Sequence, residues 1–155
     1  MRLPKRRGYE RFVSRFRLTR KVEKEQLGEL QGEYDFFLAG SDCIWNANSF
    51  GIETAFFLDF VEDDNRIGNY ASSFAMDAIP DPLRETYTKY LSRFPMLSVR
   101  EENALDFVRS LTGKEATLVL DPTLALDSVF WSKIADESSV HISEPYLFVA
   151  EYSRS

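Results

Sequence analysis

A chain of 155 residues can bury one core, and 44% hydrophobic with 14% aromatic content excludes disorder. No apolar run approaches the roughly 20 residues of a membrane span, and the basic N-terminus lacks the apolar stretch of a secretory signal. The net charge is −6, and the single cysteine, Cys43, excludes an internal disulfide and fits a reducing compartment, so the cytoplasm is the expected location.

The charge divides unevenly along the chain. Residues 1–24 carry ten Lys/Arg against Glu10 and Glu23, a balance of +8; the remainder carries nine against 23 acids, a balance of −14. We read residues 1–33 as a basic helical arm. It has two readings: a surface helix burying Phe12, Val13 and Phe16, or a contact for an anionic membrane surface that would hold the protein at the membrane's inner face. Nucleic acid is not expected as a partner, because no recognisable binding fold joins the basic residues and the acidic body repels phosphate.

Beyond the arm, short apolar runs alternate with helical patterns. Asp35–Ala39 reads as a buried strand ending at Gly40, Arg66–Phe74 as a second and Met96–Val99 as a third. Asp81-Pro82 predicts a helix start, with Asp81 as the cap. Leu83, Tyr87, Tyr90, Leu91 and Phe94 share its buried face, and Pro95 ends it. A second helix is predicted over Glu102–Leu111, with Gly113 as its C-terminal cap. Ala116–Leu120 is a fourth strand stopped by Asp121-Pro122. A third helix starts near Asp127-Ser128, with Val129, Phe130, Trp131 and Ile134 in its apolar set and Trp131 in the core. Tyr146–Tyr152 reads as a fifth strand.

This alternation predicts an α/β fold, a Rossmann-like parallel sheet with crossover helices, over residues 34–140. Residues 141–155 would be a linker and the first strand of a further domain. Polar clusters fall at strand ends (Gly40-Ser41-Asp42, Ser72-Ser73, Arg100-Glu101 and Asp121-Pro122-Thr123), where ligands of such sheets bind.

Five segments, in order, carry a resemblance over roughly residues 34–131. They are Gly40-Ser41-Asp42-Cys43-Ile44-Trp45-Asn46, Phe57-Leu58-Asp59-Phe60, Tyr70-Ala71-Ser72-Ser73-Phe74, Ser98-Val99-Arg100-Glu101 and Asp121-Pro122-Thr123, with Trp131 shortly beyond. Together they resemble the polysaccharide pyruvyl transferase family. Cys43 stands where a polar residue, often Gln, is usual, and Ala75 where Gly often follows Ser-Phe. The resemblance implies part of the N-terminal half of a glycosyltransferase-B-like fold, phosphoenolpyruvate as donor with no cofactor, and a saccharide acceptor, lipid-linked or free. It also implies that the family's first glycine-containing strand-loop-helix and its basic, histidine-bearing C-terminal half lie outside these residues. The expectation is therefore an internal piece, inactive alone. Such a piece would leave a sheet edge and apolar faces uncovered and self-associate through them.

The chemistry implied by the resemblance needs cations for phosphoenolpyruvate, an acid for its methylene carbon and a base for the attacking sugar hydroxyls. Arg100, after a strand, suits an anion contact or an ion pair with Glu101 or Asp121. Asp42 suits a general base, or a cap on the next turn. Ser41, Ser72 and Ser73 are candidates for sugar hydroxyls, and Trp45 for either a sugar face or the core. Asp121 belongs to the same rim or only shapes its turn. His141, the sole histidine, reads as a loop residue, and one Cys with one His gives no metal-ligand set. No phosphate-loop or dinucleotide fingerprint is present, and Asp63-Asp64 beside Asn65 reads as a turn.

Overall fold

The computed structural model describes residues 9–10, 12–137, 142–147 and 149. Four short strands form: β1 (Phe37–Ala39), β2 (Ile67–Asn69), β3 (Leu97–Val99) and β4 (Ala116–Leu118). β1 pairs with β2 and β3 with β4, both in parallel, with Phe37 opposite Ile67 and Leu97 opposite Ala116. A single parallel bridge from Ser72 to Val99 joins the pairs, so β2 lies beside β3, and a second from Ser72 to Asp42 extends the first pair. Four parallel strands place their carboxyl ends on one rim, as the sequence pattern predicts. This is an α/β arrangement of small parallel sheets and helices, compatible with a Rossmann-like fold.

The ladder between β2 and β3 is interrupted for a specific reason. Asn69 turns its carboxamide onto β3: Nδ2 donates to the Ser98 carbonyl at 2.6 Å, and Oδ1 accepts from the Ser98 N–H at 3.1 Å. Ser98 Oγ in turn donates to the Asn69 carbonyl and accepts from the Ala71 N–H, both at 3.1 Å. Two side chains thus stand in for a continuous ladder, pairing the Ser98 N–H and carbonyl, the Asn69 carbonyl and the Ala71 N–H.

One sheet face is covered. After the one-turn helix α1 (Ala47–Phe50), two longer helices complete the core that Phe37, Ala39, Ile67, Leu97 and Val99 turn into: α2 (Arg84–Leu91) and α3 (Glu102–Thr112), which contribute Tyr87, Leu91, Ala104, Val108 and Leu111. An aromatic cluster sits at its centre. Trp45 stacks on Phe57 at 5.5 Å between centroids and meets Phe74 at 5.3 Å and Phe94 at 5.8 Å. Tyr87 is fully buried, and its hydroxyl donates to the Trp45 carbonyl at 2.6 Å; burial pushes that phenol up to about 12. On the other face Phe36, Leu38 and Met96 remain exposed. Phe36 lies so close over Gly68 that a Cβ there would stand 2.9 Å from its ring.

Most predicted elements form, with corrections at their ends. Gly113 caps α3 in the left-handed region at φ +70°, donating to the Arg109 carbonyl. Asp127 caps the next helix, Ser128–Asp136, through the Phe130 N–H. Asp81 is not a cap: Pro80 holds that place, and Asp81–Leu83 is a 3-10 turn leading into α2. The helix ends at Leu91, short of Pro95, and Phe94 is buried from the turn beyond it. Trp131 is not in the core, being 41% exposed and tied by its indole N–H to the Thr123 carbonyl; Val129, Phe130 and Ile134 are exposed as well. No described element lies over that helix's apolar face, which amphipathic spacing alone could not foretell.

Phe12 and Phe16 are likewise exposed and pair edge to face with each other. Tyr146, Leu147 and Val149 form no strand, and the rest of that predicted strand, with His141, lies outside the described residues. No helix among the described residues is long and apolar enough to cross a membrane.

Candidate functional site

The rim is built by the segments that leave the parallel strands. Gly40–Asp42 follows β1, Ser72 and Ser73 follow β2, Arg100 and Glu101 follow β3, and Asp121 follows β4. Arg100 is the hub. Its Nη1 donates to Asp121 Oδ2 at 2.7 Å and to Ser41 Oγ at 3.0 Å, and Nε reaches Glu101 Oε1 at 3.4 Å. Nη2 stands 3.7 Å from Asp42 Oδ1. Ser41 Oγ donates to the same Asp121 oxygen at 2.8 Å, closing a ring across β1, β3 and β4. Burial opposes the charge on Arg100, and its hydrogen bonds to Asp121 and Glu101 outweigh that and raise its pKa.

Asp121 is held well below the usual carboxylate range. Hydrogen bonds from the Thr123 hydroxyl and N–H act first, then those from Ser41 and Arg100. Asp121 shapes its own turn, capping it with one oxygen, and anchors Arg100 with the other. Arg100 is one cation among three carboxylates, those of Asp42, Glu101 and Asp121. An anion approaching it meets a net negative rim.

Asp42 differs from its neighbours. It sits at φ +81°, in the left-handed region, and its side chain is 87% exposed above the rim. It caps no turn with its carboxylate; its backbone carbonyl accepts from the Ile44 and Ser73 N–H groups instead. Ser72 and Ser73 are fully buried. Ser72 Oγ accepts from Asn69 and donates to the Gly40 carbonyl at 3.5 Å, and Ser73 Oγ donates to Glu101 Oε1, so both hydroxyls tie rim segments to one another. Glu101 Oε2 is buried with no hydrogen-bond partner among the described residues, at a cost of about 1–3 kcal/mol for a polar atom so placed. Trp45, 1% exposed, offers no ring face to a sugar. The core claims its ring, for the reason that its indole is ringed by Phe57, Phe74 and Phe94.

Another aromatic takes the exposed position. Trp45 Nε1 donates to the Phe56 carbonyl at 3.3 Å, fixing the 3-10 turn Thr54–Phe57 beneath the rim. Phe56, on that turn, is 47% exposed. It lines a cavity of about 360 Å³ with Asp42, Cys43, Ile44 and Glu53. The sequence reading missed Phe56 and Glu53. The available signal was the doubled aromatic in Phe56-Phe57, of which only one ring can face inward on a tight turn. No group of three or more His, Cys, Asp or Glu among the described residues is placed to hold a metal.

The rim residues and the buried tryptophan are those of the ordered motifs, and the comparison with known families agrees. The family profile described as polysaccharide pyruvyl transferase matches residues 2–155. The chain belongs to this family. Searches of curated proteins and of solved structures return no match. Membership gives meaning to one departure noted in the sequence. Ala75, at the position where the resemblance leads one to expect Gly, sits at φ +46° and is pinned there by Asn46 Nδ2 on its carbonyl at 2.8 Å. The other departure, Cys43, is exposed on the cavity wall; burial, then Asp42, pushes its thiol up.

Proposed function

We propose that this chain carries the acceptor-facing rim of a pyruvyl transferase that converts phosphoenolpyruvate and a saccharide diol into a pyruvyl ketal of a cell-surface or exopolysaccharide. In this reading, residues 34–140 are part of the N-terminal Rossmann-like half of a glycosyltransferase-B-like fold. Residues 1–33 form a preceding arm, and residues 141–155 lead into the second half. Family membership supports the transferase class. The observation that carries the acceptor-facing role is the charge of the rim, where Arg100 is outnumbered by Asp42, Glu101 and Asp121. A multiply charged donor needs an excess of cations, while sugar hydroxyls need acceptors.

The reaction balances as follows. A proton adds to the methylene carbon of phosphoenolpyruvate, making a methyl group and a cationic centre at the neighbouring carbon. One hydroxyl attacks that carbon and gives up its proton, and the C–O bond to phosphate breaks. The second hydroxyl then closes the ketal. Of the two protons lost by the diol, one is balanced by the new methyl C–H and one leaves on phosphate. Asp42 suits the first hydroxyl's base, since its carboxylate is exposed and accepts no backbone N–H. Arg100, held by Asp121 and Ser41, stands 3.7 Å from Asp42 Oδ1 and orients it; in this reading it is a positioning residue that an incoming carboxylate can also meet.

The test is steady-state kinetics on the product of the coding locus, wild type against Asp42→Asn. We expect kcat to fall by about 10²–10⁴-fold, the usual size of a base's contribution, with KM for phosphoenolpyruvate little changed. Unchanged kcat would remove Asp42 from the chemistry. A second reading, a saccharide-binding protein without catalysis, is favoured by the pairing of Arg100 itself, which leaves no unpaired cation at the described rim. An anionic membrane surface is not part of this proposal. In the described part of the arm, Arg15, Arg20, Lys21 and Lys24 already pair with Glu137, with Glu29 and Glu33, with Glu23 and with Glu53.

A further inference from the structure

Asp42 lines a cavity whose other walls, Cys43, Ile44, Glu53 and Phe56, have no part in the proposed reaction. Three observations bear on its occupant. Its volume, about 360 Å³, lies at the small end of ligand pockets and suits a single ring in place of a chain. Its wall holds a half-exposed aromatic, Phe56, on a turn locked from below by the Trp45 indole. An aromatic face packs well against the C–H face of a pyranose, which is apolar, while the ring edge carries hydroxyls.

The polar groups are two carboxylates, and each already faces a cation. Glu53 Oε1 is 2.7 Å from Lys24 Nζ and also accepts from the Ala55 N–H, while Asp42 faces Arg100 Nη2 at 3.7 Å. Lys24 outweighs burial in holding Glu53 below its ordinary value. The cavity is thus rich in hydrogen-bond acceptors without being a bare negative site. That disfavours an anion, which would meet both carboxylates, and gives a cation little gain, because Glu53 already has Lys24 and Asp42 already shares Arg100. A neutral polyhydroxyl ring fits both requirements.

We infer that Phe56, Asp42 and Glu53 form the subsite for one neutral pyranose of the acceptor, with Phe56 as the stacking platform and Cys43 on its wall. The inference rests on the pyruvyl transferase reading for its biological meaning, and it moves the aromatic contact from Trp45 to Phe56. Asp42 then sits at the seam between subsite and rim, where a hydroxyl of the stacked sugar would reach it.

Backbone amide NMR on the whole chain tests this directly. The probes are the methyl glycosides of galactose, glucose, mannose and N-acetylmannosamine, with phosphoenolpyruvate and choline as the anionic and cationic comparisons. We expect at least one glycoside to shift the amides of Asp42, Cys43 and Phe56 saturably, and neither phosphoenolpyruvate nor choline to do so. Phe56→Ala should weaken that binding about tenfold, the loss of one aromatic platform, while Phe56→Tyr retains it. The side chain is half exposed, so both variants are expected to fold, which the remaining amide pattern reports. Unmoved amides with all four glycosides, shifts by choline alone, or unaltered affinity in Phe56→Ala would each overturn the subsite. Glycoside binding without ketal formation would sink the transferase reading and leave the subsite standing. Ketal formation with these amides unmoved would do the reverse.

Discussion

Ala75 holds a backbone conformation that ordinarily calls for glycine. A non-glycine residue in the left-handed region loses roughly 1–2 kcal/mol relative to its preferred conformations. Ala75 at φ +46° is exposed, so no packing compensates for that loss, and Asn46 holds the carbonyl in place. Ala75→Gly should therefore raise stability by about 0.5–1 kcal/mol after the entropy of the more flexible unfolded chain is subtracted, as a urea melt would measure. A decrease would mean that the turn relaxes in solution. Asp121 allows a prediction about pH. Its folded-state pKa is depressed below that of the unfolded chain, so its contribution to stability is fully present above the ordinary aspartate value of about 3.9 and is lost as pH falls toward the folded value. Asp121→Asn should lower Tm at neutral pH and flatten the fall in Tm below about pH 4. A variant whose acid limb matches the wild type would show that the Thr123, Ser41 and Arg100 contacts are absent in solution.

At the scale of elements, periodicity and turn chemistry made the framework legible. The amphipathic face of Glu102–Thr112 and its cap at Gly113 are both local, so the sequence states them directly. The strands were placed by their apolar runs, yet each is shorter than its run, because the ladder partners stop earlier than the apolar residues do. The bridge made by Asn69 and Ser98 could not be read, since it depends on two segments 29 residues apart meeting in register. Arg100 with Asp121 was foreseeable as an ion pair at the rim, and the structure realises it. The Trp45 indole was not foreseeable as a hook for the Thr54–Phe57 turn, because neither composition nor spacing says which of several aromatics faces inward. Trp45→Phe removes that hook and leaves part of the indole space empty. We expect a loss of about 2 kcal/mol and faster hydrogen exchange at Phe56 and Leu58 than elsewhere in the core. Uniform exchange across the core would detach the turn from Trp45.

Across the molecule, charge and exposed apolar surface follow different patterns. The rim gathers acids around one arginine, whereas Phe36, Leu38 and Met96 on the bare sheet face and Val129, Phe130 and Trp131 on the last helix stay open to solvent. The first pattern supports the proposal that this chain carries the hydroxyl-accepting side of a two-substrate reaction. The second was partly legible as amphipathic spacing, but its exposure depends on what lies over each face, which spacing does not specify. The central claim is chemical, and one measurement addresses it most directly. Phosphoenolpyruvate labelled with ¹³C at its enol carbon is incubated with the product of the coding locus and the pyranoside acceptor that binds best, and the ¹³C spectrum is followed. A ketal-carbon resonance growing in step with inorganic phosphate is the predicted result. Phosphate release with the label appearing only as pyruvate, or an unchanged spectrum with acceptor bound, would contradict pyruvyl transfer and leave a saccharide-binding protein.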